Sequence, residues 1–147
     1  MPPEGTIVAT LPNAPGHENK AVVAFLDGRR LKGYAFNFSA LRESFRLFPA
    51  ETSRQEEGKD VLMKDLKAVF FVKTFEGHPE YHESDALDQL KHGRKIEVVF
   101  PDGEKIVGST EGYNAQKLGF YVFPADPNSN NIRVFVINKN THHVKVL

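Results

Sequence analysis

Two histidines four residues apart, His78 and His82, stand in the stretch HPEYHE, and on a helix that spacing would let both imidazoles reach one metal ion. Gly77 and Pro79 mark the stretch as loop instead, and the glutamate does not directly follow the first histidine as the HExxH pattern requires. A solvated connector is therefore expected. Asp126, Asn128 and Asn130 have the spacing of the first three ligands of a calcium loop, but Asn131 stands in place of the turn glycine and Ile137 in place of the bidentate glutamate. An Asn-rich turn accounts for them. The chain has no cysteine, which excludes disulfides, thiolate catalysis and cysteine-ligated zinc. Ser39, Ser44, Ser53, Ser84, Ser109 and Ser129 lack the glycines of a nucleophile elbow, and the carboxylates gather in turns rather than pairing in an apolar setting. The chemistry-bearing residues thus point away from an enzyme, and no metal or cofactor is expected.

The residues that must position any site are written twice. Ala21 to Ala50, AVVAFLDGRRLKGYAFNFSALRESFRLFPA, returns 75 positions later as Ile96 to Ala125, IEVVFPDGEKIVGSTEGYNAQKLGFYVFPA, with no gap. Over the 31 positions ending at Glu51 and Asp126 there are ten identities, where composition alone would give about two. Val61, Lys64 and Val69 fall on Val136, Lys139 and Val144 at the same offset. The chain therefore divides into a disordered, proline-rich segment 1–20, a first repeat 21–72, a connector 73–95 and a second repeat 96–147. Each repeat has 52 residues, close to the lower limit for burying a core alone, so the copies are expected to dock on each other or on another chain.

Within a repeat the pattern is that of β-structure. Val23 and Phe25 alternate as in a half-buried strand, Asp27-Gly28 or Asp102-Gly103 closes a tight turn, and the return strand carries a glycine at its middle, Gly33 or Gly108. Such a glycine implies a bend or a close backbone approach. A polar loop, a third strand (Phe45 to Pro49; Phe120 to Pro124), a fourth (Val61 to Met63; Val134 to Ile137) and a fifth (Ala68 to Lys73; His143 to Leu147) follow. The third strand has aromatic residues on both faces, so Phe48, Tyr121 and Phe123 should either pack the two repeats together or form an exposed patch for a partner. Only the connector offers a short helix, with Ser84 as N-cap, Leu87 and Leu90 on one side and Gly93 as the stop.

Composition bounds the rest. The 147 residues are 40% hydrophobic and 26% charged, with a formal net charge of zero, which removes the generic electrostatic argument for nucleic acid or an anionic membrane. The N-terminus has no basic start followed by an apolar run, and no segment approaches 18 apolar residues, so a cytoplasmic protein with no membrane partner is expected.

The strand order and the repeated Val23, Phe25, Asp27, Gly28, Leu31 and Gly33 (Val98, Phe100, Asp102, Gly103, Ile106 and Gly108) resemble the five-stranded small barrel of Sm-like proteins and, more loosely, SH3-like barrels. The repeat is also similar to uncharacterised bacterial tandem-repeat proteins. The expected fold is all-β, two tandem five-stranded small barrels with a short connector helix. The Sm-like resemblance implies single-stranded, often uridine-rich RNA bound by the loops after strands two and four. Those loops would present Phe38, Arg42, Lys64 and Lys67 in one repeat and Tyr113, Asn114, Lys117, Lys139, His142 and His143 in the other, aromatics for stacking and cations for phosphate. The family's loop acid and its following asparagine are absent: SALRE and NAQKL stand there. Arg42 and Arg46 match the RxxxR of PilZ cyclic-dinucleotide receptors, and Asn37-Phe38-Ser39 resembles the start of their second motif, though the two motifs stand in inverted order and Arg42 occupies the place of the closing glycine. The reading preferred over both is a non-enzymatic bacterial adaptor or interaction module that binds a protein partner, or itself, through the aromatic third-strand face and the loops around Phe38 and Tyr113, with the two repeats sharing a scaffold while their loops specialise.

Overall fold

The computed structural model describes residues 20–50, 54–77 and 93–147. The connector helix expected around Ser84, the histidine pair and the N-terminal segment lie outside the described residues. The rest is antiparallel β-structure in ten strands: β1 (Lys20–Phe25), β2 (Arg30–Phe36), β3 (Ser44–Phe48), β4 (Lys59–Leu62), β5 (Leu66–Val72), β6 (Arg94–Val99), β7 (Lys105–Thr110), β8 (Gly119–Pro124), β9 (Asn131–Ile137) and β10 (His143–Val146).

Equivalent turns open the two repeats. Gly28 and Gly103 adopt φ of +96° and +93°, values open to glycine at no steric cost. The side chains of Asp27 and Asp102 accept the N–H groups of Arg29 and Glu104, each at 2.9 Å. The mid-strand glycines answer to a close approach. A Cβ on Gly33 would lie 2.6 Å from the carbonyl oxygen of Phe48, and one on Gly108 would lie 2.0 Å from that of Phe123, so β2 and β7 meet their third strands only because these side chains are absent.

The ten strands form one sheet in the order β10-β6-β7-β8-β9-β5-β1-β2-β3-β4. Each repeat contributes five neighbouring strands in the same internal order, fifth-first-second-third-fourth, and the repeats join where β5 of the first pairs with β9 of the second, Val69 opposite Phe135 and Phe70 opposite Val134. The two repeats, expected as tandem five-stranded units docked on each other or on another chain, thus share one continuous ten-stranded sheet. The physical reason lies in the side chains at the joint. All seven residues of β5 and the last four of β9 are buried, as befits strands covered on both faces.

One face of the joint builds each core. Val69, Phe71, Phe135 and Ile137 belong to the core that also holds Ala21, Val23, Phe45, Leu47 and Val61 of the first repeat. Ala68, Phe70, Val72, Val134 and Val136 belong to the other, with Ile96, Val98, Phe100, Phe120 and Val122 of the second repeat. Each core is therefore completed by side chains from the other repeat. Burying a valine, isoleucine or phenylalanine contributes about 1.5–3 kcal/mol, so neither half can give up the joint cheaply. An ion pair with one buried partner adds to it: Lys67 on β5, 5% exposed, reaches the exposed Asp102 at 2.8 Å and also contacts Glu104, both at the first turn of the second repeat.

Candidate functional site

The joint places two short 3-10 turns side by side, Met63–Asp65 after β4 and Asn138–Asn140 after β9. Asparagines fasten them. Asn140 Nδ2 donates to the carbonyls of Lys64 and Leu66 at 3.1 and 2.8 Å, crossing from one repeat to the other. Asn138 Nδ2 donates to the carbonyls of Asn114 and Lys117 at 3.0 and 2.8 Å, which holds the loop between β7 and β8 against the end of β9. The Asn114 side chain accepts the Gln116 N–H at 2.8 Å, an Asx turn that shapes this loop from within.

Between the two turns and the loop lies a groove of about 920 Å³, lined by Leu41, Glu43, Leu62, Met63 and Lys64 from the first repeat and by Tyr113, Lys117, Lys139, His142, His143 and Val144 among others from the second. Lys64, Lys117 and Lys139 are exposed, and none enters any ion pair among the described residues. Among the described residues Glu43 is the one acid on the wall. The groove also has an apolar component, since Leu41 is 84% and Leu62 44% exposed. Leu41 and Lys117 carry the surface over into a neighbouring cleft of about 230 Å³ with Ala40, Tyr121 and Phe123.

The structure thus brings together six residues singled out from the sequence: Lys64, Tyr113, Lys117, Lys139, His142 and His143. The others go elsewhere. Phe38 is half-buried against the joint, its ring 5.0 Å from those of Phe45 and Phe71 and 5.3 Å from that of Phe135 in edge-to-face contacts; it packs into the core rather than standing out as a stacking platform. Lys67 is buried in its ion pair and faces no phosphate. Arg42 is exposed, whereas the Arg46 guanidinium lies 5.4 Å from the Phe48 ring, donates to the Gly58 carbonyl at 3.0 Å and pairs with Asp60 at 3.4 Å. With Arg46 so engaged, the two arginines of the RxxxR pattern are not equally available to a dinucleotide.

The third-strand aromatics divide. Phe48 is 1% exposed and is covered within its own repeat by Phe36, 6.0 Å away, and by the backbone at Gly58, where a Cβ would come within 2.7 Å of its ring. Tyr121 does reach across, its ring 6.4 Å from that of Phe38 in the first repeat, while within its own repeat it packs on Phe135 at 5.1 Å and under Arg133 at 5.3 Å. Burial pushes its hydroxyl pKa up, partly offset by the Arg133 guanidinium. Phe123 is 39% exposed at the cleft. Asp126, Asn128 and Asn130 form turns: Asp126 accepts the Asn128 N–H at 2.8 Å, and Asn130 exchanges hydrogen bonds with Thr74.

Leu41, Glu43 and Leu62 were missed. The available signal was a large apolar residue isolated in a polar loop, SALRES, and a fourth strand ending in an outward leucine. Among the described residues no helix is long and apolar enough to cross a membrane. Residues 17–147 match a protein-family model described as a family of unknown function. No curated protein and no solved structure matches the chain.

Proposed function

We propose, for a chain that belongs to the DUF6982 family of unknown function, a non-enzymatic role: a bacterial-type cytoplasmic adaptor that holds an acidic, partly apolar segment of a partner protein in the groove between its two repeats. Each half is read as a small five-stranded barrel of the Sm-like or SH3-like kind, supported by the shared strand order. The observation that carries the function is the composition of the groove wall. Three lysines without an ion-pair partner among the described residues stand beside exposed Leu41 and Leu62, so a ligand that satisfies the wall needs both carboxylates and apolar side chains.

Single-stranded RNA would use the same lysines but needs flat aromatic faces for its bases. Phe38 is spent in the joint and Tyr113 packs edge-on against Phe120 at 4.8 Å. That tips the reading towards protein.

The test is a titration of the full chain with a fluorescent peptide alternating glutamate with leucine and phenylalanine, and in parallel with labelled oligo-uridine, each at two salt concentrations. The peptide is expected to bind, and Lys64→Glu with Lys117→Glu to weaken it at least about tenfold, the 1.4 kcal/mol or more that opposite-charge contacts of this kind supply. Tighter binding of oligo-uridine, lost in the same double variant, would replace the adaptor reading with RNA binding. Binding of neither at low salt would refute the groove as a site.

A further inference from the structure

The duplication supplies an internal standard for each strand, and one position in the second repeat lacks what its counterpart has. In the first repeat the fifth strand, β5, is flanked by β1 on one side and β9 on the other. In the second repeat the fifth strand, β10, pairs with β6 and is the last of the described strands on that side of the sheet. Val69 and Phe71 on β5 are 0% and 2% exposed under Phe135 and Ile137 of β9. Their equivalents Val144 and Val146 lie only half-buried at the rim of the second core.

The backbone is open in the same place. Leu147 N–H donates to the Lys95 carbonyl at 2.9 Å, and the alternation of an antiparallel pair puts Lys145 and His143 in the same class. The N–H and C=O groups of Val144 and Val146 therefore point away from β6, to a side where no described strand lies. Beyond the strand, Asn140 caps the carbonyls of Lys64 and Leu66 in the first repeat. The equivalent carbonyls, of Lys139 and Thr141, accept from no described residue.

We propose that the β10 edge takes an extended segment of the partner as an added antiparallel strand, whose continuation enters the groove at Lys139 and His142. The inference rests on the groove reading for the partner being a protein segment, and it names how that segment binds. Register fixes its pattern. Directly opposed residues share a face, so apolar side chains fall opposite Val144 and Val146, over the second core, and acidic ones opposite His143 and Lys145 on the outer face.

A second copy of this chain fits poorly. Offering β4 in the way β9 is offered to β5 would place Asp60 where Phe135 sits and Lys59 opposite Lys145, a like-charge pair with a carboxylate over an apolar rim. Charged edges of this kind discourage strand pairing between copies. A foreign strand alternating apolar and acidic residues meets neither obstacle, and strand addition of this kind draws affinity from backbone hydrogen bonds and specificity from alternate side chains.

The experiment uses the full chain, labelled with nitrogen-15, and a synthetic nonapeptide alternating glutamate with valine, phenylalanine and isoleucine. A control peptide has the same composition with its apolar residues in one block. The expected result is at least about tenfold slower amide exchange at Val144 and Val146 with the alternating peptide alone, and at least about tenfold weaker binding by Lys145→Glu. Val146→Pro deletes an edge donor that the fold does not use, and is expected to abolish binding while the signals of β1 to β5 stay in place; Lys145→Glu serves where that variant misfolds. Shifts confined to groove residues such as Lys64 and Lys117, with exchange at Val144 and Val146 unchanged, would overturn strand addition and leave the groove reading standing. No perturbation anywhere at millimolar peptide would overturn both. Protection that grows with protein concentration in the absence of peptide would assign the edge to a second copy and overturn the proposal.

Discussion

Replacing Phe135 by alanine removes a side chain that belongs by sequence to the second repeat and by packing to the first. It is 0% exposed, with the rings of Phe38 and Tyr121 at 5.3 and 5.1 Å. Truncating a buried phenylalanine costs about 3–5 kcal/mol. The two edge-to-face ring pairs lost with it, worth about 0.5–1.5 kcal/mol each, place this site in the upper half of that range. Against a total stability of about 5–15 kcal/mol, the variant is left marginal, with Tm lowered by about 10–15 °C for a domain of this size. The chain has no tryptophan but four tyrosines, so urea unfolding followed by tyrosine fluorescence and far-UV circular dichroism reports it. One transition, coincident by both probes and shifted as a whole, is the expected result. A cost below about 1 kcal/mol, or a second repeat that melts while the amides of β1 to β3 stay protected, would refute shared cores.

Two further perturbations separate local from global causes. Gly108→Ala drives a methyl group against the Phe123 carbonyl and should cost about 1–3 kcal/mol as overpacking does; calorimetry checks it against Gly103→Ala, which meets nothing within 4 Å and should cost only the positive-φ penalty of about 1–2 kcal/mol. The Asp102 carboxyl titrates below its ordinary value because the ionised form accepts from Lys67 and from the Glu104 N–H. Its contribution is complete above the unfolded value of about 3.9 and is lost as pH falls through the lower folded value. Asp102→Asn should therefore be less stable than the parent at pH 7, with the gap closing below about pH 4 in denaturant titrations; a gap independent of pH would contradict the pairing.

The sequence carried the strands, the turns and the duplication because these rest on local rules: alternation in Val23 and Phe25, Asp-Gly at each corner, glycine where β2 and β7 approach their neighbours. It carried the joint too, in a form that the alternation rule passes over. Residues 68–72 read AVFFV and 134–137 read VFVI, unbroken apolar runs, while their repeat equivalents at 143–147 and 59–62 read HVKVL and KDVL. An unbroken run is the mark of a strand buried on both faces, and its appearance once in each repeat, on different strands, names the two edges that meet. The groove was half legible. Its cations stood out by type, whereas the packing of Phe38 at the joint and the burial of Lys67 follow from pairing between residues about 35 to 100 positions apart, which no local pattern encodes. Leu41 and Leu62 become part of a site only once the two 3-10 turns lie side by side.

Every functional inference depends on β5 and β9 lying next to each other within one chain. Cross-strand nuclear Overhauser contacts between the backbones of Val69 and Phe135, and of Phe70 and Val134, measured in a dilute sample of the full chain, test this directly. The account predicts both contacts, undiminished when labelled protein is diluted with unlabelled. Their absence, or their loss on such dilution, would mean that the two repeats do not share a sheet within one molecule, and the groove and the strand slot would go with it.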